Sequence, residues 1–247
     1  MSANEQVFEV SPLDEDAYAS ITEALEAVAR CAPDESVPVR VHVAPGVYRE
    51  RVEIHRGNLT LEGETADSVR IVSGFGAQMP SPDGSGKDGK LGTFRTYTML
   101  VDADNVTLAN LTIENDAGDG REAGQALALY ADGDRLVVDA CRILGHQDTL
   151  FMGPLPPREV QPGGFIGPKQ FAPRVVGRQY YRRCFIVGDV DFIFGGARAY
   201  FEGCEIRSLN RNMDVNGYVT AASTPKGEPY GFVFHGCSFT AEEGIAA

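Results

Sequence analysis

The chain has 247 residues, and its 22 basic and 35 acidic side chains give a formal net charge of −13 at pH 7. Hydrophobic residues make up 43% and charged residues 23%, an ordinary globular composition that excludes an intrinsically disordered chain. So negative a charge argues against nucleic acid and anionic membranes as partners, because both would repel it.

The N-terminal segment and the cysteines bear on the compartment. Residues 1–16 contain neither a basic stretch nor an apolar run, so we expect no signal peptide and a cytoplasmic protein. No apolar run approaches the length that spans a membrane. The five cysteines are odd in number and lack Cys-x-x-Cys spacing, so we expect neither a disulfide framework nor a metal site.

One segment, residues 20–30, is predicted to be helical. Apolar side chains recur there at the spacing of one helix face, namely at Ile21, Ala24, Leu25 and Val28. Ser20 and Glu23 match a capping box at its start, and Pro33 marks its end.

The rest of the chain is predicted to be β-structure with a repeat. Five four-residue pieces align, each with Leu or Cys second and Ile or Phe fourth: residues 110–113, 140–143, 183–186, 203–206 and 236–239. Residues i and i+2 of a strand share a face, so each pair should point into the core. The repeat favours an all-β parallel solenoid over residues 1–247, with the helix capping its open N-terminal edge. A β-sandwich with irregular hairpins is the alternative.

Two segments, 73–98 and 153–178, are predicted to be long loops. The first is rich in glycine, and the second holds six of the 14 prolines. Residues 84–89 match Gly-x-Gly-x-x-Gly, but two prolines precede them and no helix pattern follows, which argues against a phosphate-binding loop. Loops of this length usually either form a wall of a binding or active site or are mobile.

Two aspartates occupy equivalent positions in the repeat. Asp148 lies seven residues after Cys141, and Asp191 lies seven residues after Cys184. Neighbouring coils are about 4.8 Å apart, so both carboxylates should face one ligand and titrate at different pH values.

Two glutamines are predicted to lie beside these aspartates. Gln147 directly precedes Asp148, and Gln125 belongs to the preceding coil. Their amide N–H groups are suited to stabilising an oxyanion. Two acids and two amide donors support either attack on a carbonyl or cleavage of a glycosidic bond. The four histidines are scattered, and His146 has no evident partner.

Four segments together resemble a known family. They are Gly46-Val-Tyr48-Arg-Glu50, Gln125-Ala-Leu-Ala-Leu, Gly145-His-Gln147-Asp148-Thr-Leu and Asp191-Phe-Ile-Phe-Gly195. From about residue 18 to its end, the sequence resembles the bacterial pectin methylesterases, or pectinesterases. This resemblance implies a right-handed parallel β-helix that removes methyl esters from homogalacturonan without a metal or other cofactor.

The resemblance also implies a role for each of four side chains. Asp191 is the expected nucleophile on the ester carbonyl. Asp148 is the expected general acid toward methanol and then the base for the hydrolytic water. Gln147 and Gln125 are expected to stabilise the tetrahedral oxyanion.

Further expectations concern the substrate. Phe151 and Phe194 are expected to form aromatic walls for sugar rings, with core packing as the alternative for each. The expected partner is methylated homogalacturonan or its oligosaccharides, without nucleic acid or membrane partners, and the protein is expected to be a monomer.

The sequence departs from the family in two ways. Asp148 and Asp191 are 43 residues apart, and we interpret the excess in 153–178 as an insertion that shapes one end of the cleft. The family has a Leu-Gly-Arg-Pro-Trp segment whose Arg keeps the nucleophile ionised, whereas this sequence has no Trp and no Arg-Pro dipeptide. We therefore expect a C-terminally incomplete domain that is weakly active or inactive.

Three alternatives remain open at this point. A glycoside hydrolase acting on pectin would also use paired carboxylates, although the glutamine donors favour the ester reaction. A non-catalytic carbohydrate-binding β-helix is the second alternative, and a thioesterase is the third.

Overall fold

The computed structural model describes residues 5–159 and 161–245. The helices are α1 (Ile21–Cys31) and α2 (Gly120–Ala123), with short 3-10 turns at Lys87–Gly89 and Thr93–Arg95. The strands are β1 (Gln6–Val10), β2 (Val39–Val43), β3 (Gly46–Tyr48), β4 (Val52–Ile54), β5 (Leu59–Gly63), β6 (Val69–Ser73), β7 (Met99–Val101), β8 (Val106–Ala109), β9 (Thr112–Asn115), β10 (Leu129–Ala131), β11 (Leu136–Asp139), β12 (Arg142–Leu144), β13 (Leu150–Met152), β14 (Arg178–Arg182), β15 (Phe185–Gly188), β16 (Val190–Gly195), β17 (Arg198–Glu202), β18 (Glu205–Ser208), β19 (Tyr218–Ala222), β20 (Phe232–His235) and β21 (Ser238–Ala241).

The strands form three parallel sheets around one core. Sheet A has the order β1-β2-β5-β8-β11-β14-β17-β20, sheet B the order β21-β18-β15-β12-β9-β6-β3, and sheet C the order β19-β16-β13-β10-β7-β4. From β2 onward the chain contributes strands to A, B and C in turn, which is the topology of a parallel β-helix. This confirms the predicted fold.

Each piece of the sequence repeat leads into the beginning of a strand of sheet B. Parallel pairing aligns Ile113, Ile143, Ile186, Ile206 and Phe239 in one row. The residue before each Leu or Cys of the repeat turns the chain with φ between 50° and 59°, at Asn110, Ala140, Arg183, Gly203 and Gly236. The first four members of the row are buried, whereas Phe239 is 57% exposed because β21 is the outermost strand of sheet B among the described residues.

The predicted helix is confirmed one residue later than expected, as α1. Ser20 Oγ accepts a hydrogen bond from the Glu23 main-chain N–H at 3.1 Å. The Glu23 carboxylate accepts from the N–H of Ala19 rather than from that of Ser20, so the capping box is shifted by one residue. The apolar face of α1 packs on β1, β2 and β4, at the N-terminal end of the β-helix.

Glu50 fixes the position of α1 on the first coil. Its carboxylate accepts hydrogen bonds from the main-chain N–H groups of Ile21, at 3.0 Å, and Thr22, at 2.9 Å. These N–H groups have no partner within the helix, and a carboxylate there is favoured by the helix dipole.

The two predicted loops border sheet C, one before its strands and one after them. Loop 73–98 leaves sheet B and enters sheet C, and loop 153–178 leaves sheet C and enters sheet A. Residues 84–89 lie around a 3-10 turn without the strand and helix that phosphate binding requires. Among the described helices, none is long and apolar enough to cross a membrane.

Candidate active site

Asp148 and Asp191 lie on adjacent coils where the chain passes from sheet B to sheet C. The Asp148 N–H donates to the Val190 carbonyl at 3.0 Å, and two residues later Leu150 pairs with Ile193. Both aspartates adopt left-handed backbone conformations, with φ of 66° and 48°. The two aspartates therefore have equivalent places on adjacent coils, and their joint role toward one ligand stays a prediction.

The two carboxyl groups differ in their electrostatic surroundings. Asp148 is only 9% exposed, and burial raises its pKa well above the ordinary value, with further contributions from the charges of Asp191 and Asp189. Asp191 is partly exposed, and burial raises its pKa. The more deeply buried Asp148 is the member of the pair suited to keep a proton, which leaves Asp191 as the carboxylate.

Other residues of the two motifs shape the turns. Thr149 is fully buried, and its Oγ1 lies 3.0 Å from the carbonyl oxygens of both His146 and Val187. A Cβ at Gly188 would lie 2.2 Å from the Cβ of Phe192, so only glycine fits there. These positions are explained by packing rather than by chemistry.

Gln147 and Gln125 lie on adjacent coils of the β-helix. The Ala126 N–H donates to the Gln147 carbonyl at 3.0 Å, which places Gln125 one coil before Gln147. A Cβ at Gly120 would lie 2.6 Å from Gln147 Oε1, so that amide rests against the start of α2. Among the residues that the structure describes, neither side-chain amide hydrogen-bonds another protein group. Their N–H donors therefore remain free for a ligand.

A cleft beside Gln125 separates the two long loops. Its volume is about 290 Å³, and its walls include Gln78, Lys87 and Lys90 from one loop and Gln161 from the other. Lys87 Nζ lies 3.3 Å from Gln161 Oε1, which joins the loops at this point. Loop 153–178 thus forms one wall of the cleft next to a predicted site residue.

Phe151 and Phe194 differ in exposure. Phe151 is 1% exposed and packs edge-to-face on Tyr130 and Phe94, with ring centroids 4.7 and 5.0 Å away. The prediction that Phe151 contacts sugar rings is therefore wrong for this structure. Its row lies on the outer face of sheet C, where Phe94 of one loop and Phe165 of the other cover it. Phe194 is partly exposed, and its sugar-binding role stays a prediction.

Two functional neighbours were missed by sequence reasoning. Asp189 is 2% exposed, and its Oδ2 lies 3.2 Å from His146 Nδ1, so His146 does have a partner. His146 and Asp189 each precede one of the two site aspartates by two residues, and this equal spacing was the signal that the sequence offered.

The second is Asn115, whose role no sequence pattern indicates. Its Nδ2 lies within 3.0 Å of the carbonyl oxygens of Phe75, Thr96 and Leu127. It thereby ties loop 73–98 to the segment that follows Gln125.

No basic side chain pairs with Asp191 among residues 5–159 and 161–245. Within the same ranges, no group of three or more His, Cys, Asp or Glu side chains is arranged to hold a metal ion. The described residues thus place the two aspartates and the two glutamines on neighbouring coils.

Comparison with known proteins identifies the family. The Pectinesterase family model matches residues 9–154 and 174–247. The chain belongs to the Pectinesterase family. The family model does not match residues 155–173, which are the centre of the loop interpreted as an insertion.

Individual relatives cover different shares of their own length. The chain is 32% identical over 228 residues to a probable pectinesterase/pectinesterase inhibitor of Arabidopsis thaliana. This alignment covers 91% of the present chain but only 34% of the Arabidopsis protein. It is also 32% identical to probable pectinesterase 56 of the same plant, over 93% of this chain and 69% of that one.

Solved structures that are similar to this chain include pectin methylesterases. A pectin methylesterase from Yersinia enterocolitica has a TM-score of 0.76 and 32% identity, over 93% of this chain and 68% of the other. A pectin methylesterase in complex with a hexasaccharide has a TM-score of 0.77 and 30% identity, over 96% and 66%.

Proposed function

We propose that this chain hydrolyses methyl esters of homogalacturonan, releasing methanol and leaving a free carboxylate on the sugar. The observation that carries the proposal is the equivalent placement of two unequally buried carboxyl groups, Asp148 and Asp191, on coils that also carry Gln147 and Gln125. Neither glutamine amide has a hydrogen-bond partner within residues 5–159 and 161–245. Membership of the Pectinesterase family and similarity to a structure containing a hexasaccharide support it.

The first half of the reaction forms an acyl-enzyme. The Asp191 carboxylate attacks the C6 carbonyl of the ester, and negative charge develops on the carbonyl oxygen. Amide N–H groups of Gln147 and Gln125 stabilise this oxyanion. As the tetrahedral intermediate collapses, the protonated Asp148 gives its proton to the departing methoxy oxygen, and methanol leaves.

The second half restores the enzyme. Asp148, now a carboxylate, takes a proton from water while the water oxygen attacks the acyl carbon. The bond to Asp191 then breaks, which releases the sugar as its carboxylic acid and regenerates the Asp191 carboxylate. The released acid then loses its remaining proton to solvent. The buried site of Asp148 favours its return to the protonated form.

Methanol release from highly methylated pectin tests this proposal. We expect the chain to release methanol, but slowly, because no basic side chain pairs with Asp191 among the described residues. Asp191→Asn should lose at least about 10³-fold in kcat relative to this chain, because a neutral amide cannot act as the nucleophile. Asp16→Asn is the matched control, since Asp16 is an exposed aspartate near the N-terminus. Absence of methanol with a folded wild-type chain would overturn the proposal, and release of reducing ends instead would indicate a glycoside hydrolase.

A further inference from the structure

His146 and Asp189 occupy equivalent positions on the two turns that carry the acid pair. His146 precedes Asp148 by two residues, and Asp189 precedes Asp191 by two. The Asp189 N–H donates to the His146 carbonyl at 3.1 Å, and His146 Nδ1 lies 3.2 Å from Asp189 Oδ2. A main-chain hydrogen bond and a side-chain contact thus join the turns at one level.

The Asp189 side chain is 1% exposed. Its Oδ1 accepts a hydrogen bond from the Val190 N–H at 2.7 Å, and its Oδ2 faces His146. Among the described residues, His146 is the basic side chain within ion-pairing distance, while Arg121 acts on Asp189 from farther away. A buried carboxylate is costly unless it is paired, so the imidazolium form of His146 stabilises this arrangement.

The surroundings of His146 favour that imidazolium. The hydrogen bond to Asp189 raises the pKa of His146, and the charges of Asp189, Asp119 and Glu242 add to the effect against partial burial. A cavity of about 500 Å³ next to the ring is also lined by the charged side chains Glu114, Asp116 and Arg207.

We propose that His146 and Asp189 are positioning residues, which hold the turns of Asp148 and Asp191 in register and set the charge on the segment next to Asp148. This inference rests on the proposed function. Neither residue is assigned a bond to substrate: Asp189 acts through its charge on Asp148, and His146 acts by compensating that charge.

The two residues have opposite effects on Asp148. The charge of Asp189 raises the pKa of Asp148, so its removal lowers that pKa. The imidazolium of His146 offsets the same charge, so its removal raises the pKa of Asp148. A merely structural pair would not produce shifts of opposite sign.

The test is the pH dependence of kcat/KM for methanol release from methylated pectin. We expect the alkaline limb, where Asp148 loses its proton, to move to lower pH in Asp189→Asn and to higher pH in His146→Asn, each by about half a pH unit or more. Asparagine at 146 keeps a donor but not the charge. His42→Asn is the matched control, because His42 pairs with Glu9 at 2.7 Å on sheet A. Shifts of the same sign in both variants, or no shift, would overturn the inference.

A second readout does not need activity. Carbon-detected NMR titration of the Asp148 carboxyl in the same proteins should show the same two opposed shifts. If the wild-type chain releases no methanol, the proposed function fails while this titration still decides the role of the pair. Unchanged titration of Asp148 in both variants would refute it.

Discussion

Asp148 and Asp191 stand at the same register position of neighbouring coils, yet only Asp148 is almost fully buried. Since burial raises the pKa of a carboxyl group, identical local geometry yields two chemically different acids. The β-helix supplies the equivalence of the two positions, and unequal burial supplies the chemical difference.

This asymmetry gives a first prediction, on stability. The pKa of Asp148 is higher in the folded than in the unfolded state, so its contribution to stability is complete below the unfolded value. That contribution is lost as pH rises through the folded value. We expect Asp148→Asn to abolish methanol release and to raise the free energy of unfolding at pH 8, with little gain at pH 4.

Urea denaturation at both pH values measures this effect. Asp16→Asn should change neither value. A variant that is less stable than wild type at pH 8 would contradict the burial argument.

A second prediction concerns the cap of α1. Glu50→Gln weakens the hydrogen bonds to the N–H groups of Ile21 and Thr22 and removes the favourable charge at the helix start. We expect a loss of about 1 kcal/mol in stability. Thermal denaturation with the exposed Glu15→Gln as control measures it, and an unchanged midpoint in Glu50→Gln would show that the contact is dispensable.

A third prediction concerns Asn115. Asn115→Ala leaves three buried or half-buried carbonyl oxygens without this donor, so we expect about 2–3 kcal/mol of destabilisation. Because Asn115 ties loop 73–98 to the segment after Gln125, kcat/KM for methanol release should also fall. Limited proteolysis would report faster cleavage within this loop, and wild-type cleavage rates would argue against an anchoring role.

A fourth prediction concerns the lysines of the cleft. Lys87 and Lys90 contact the amides of Gln161 and Gln78, and no ion pair of either ammonium is found among the described residues. Each is therefore available to a free carboxylate on a partly de-esterified chain. Replacing both with Gln should lower kcat/KM on partly de-esterified pectin several-fold and change it little on fully methylated pectin.

Methanol release from both pectins at low and high salt tests this prediction. The matched control is Lys226→Gln, since Lys226 lies in the turn between β19 and β20, away from this cleft. Equal losses on both pectins would assign the lysines a structural role.

The sequence by itself determined the architecture and the acid pair. The row from Ile113 to Ile206 is visible in the sequence because each coil must place an apolar residue in the same core, and a strand repeats its face every second residue. The equal distances from Cys141 to Asp148 and from Cys184 to Asp191 then placed both aspartates on one edge.

Only the tertiary structure decided what surrounds that edge. Phe151 lies on the outer face of sheet C, where solvent is expected. It is buried because Phe94 and Phe165, from two loops whose sequences have no hydrophobic periodicity, pack over it. The sequence places His146 and Asp189 at equal spacing from the two aspartates, but the contact between their side chains is seen only when two coils stack. Periodicity reports which way a strand residue points, whereas contacts made by irregular loops and between coils exist only once the chain has folded.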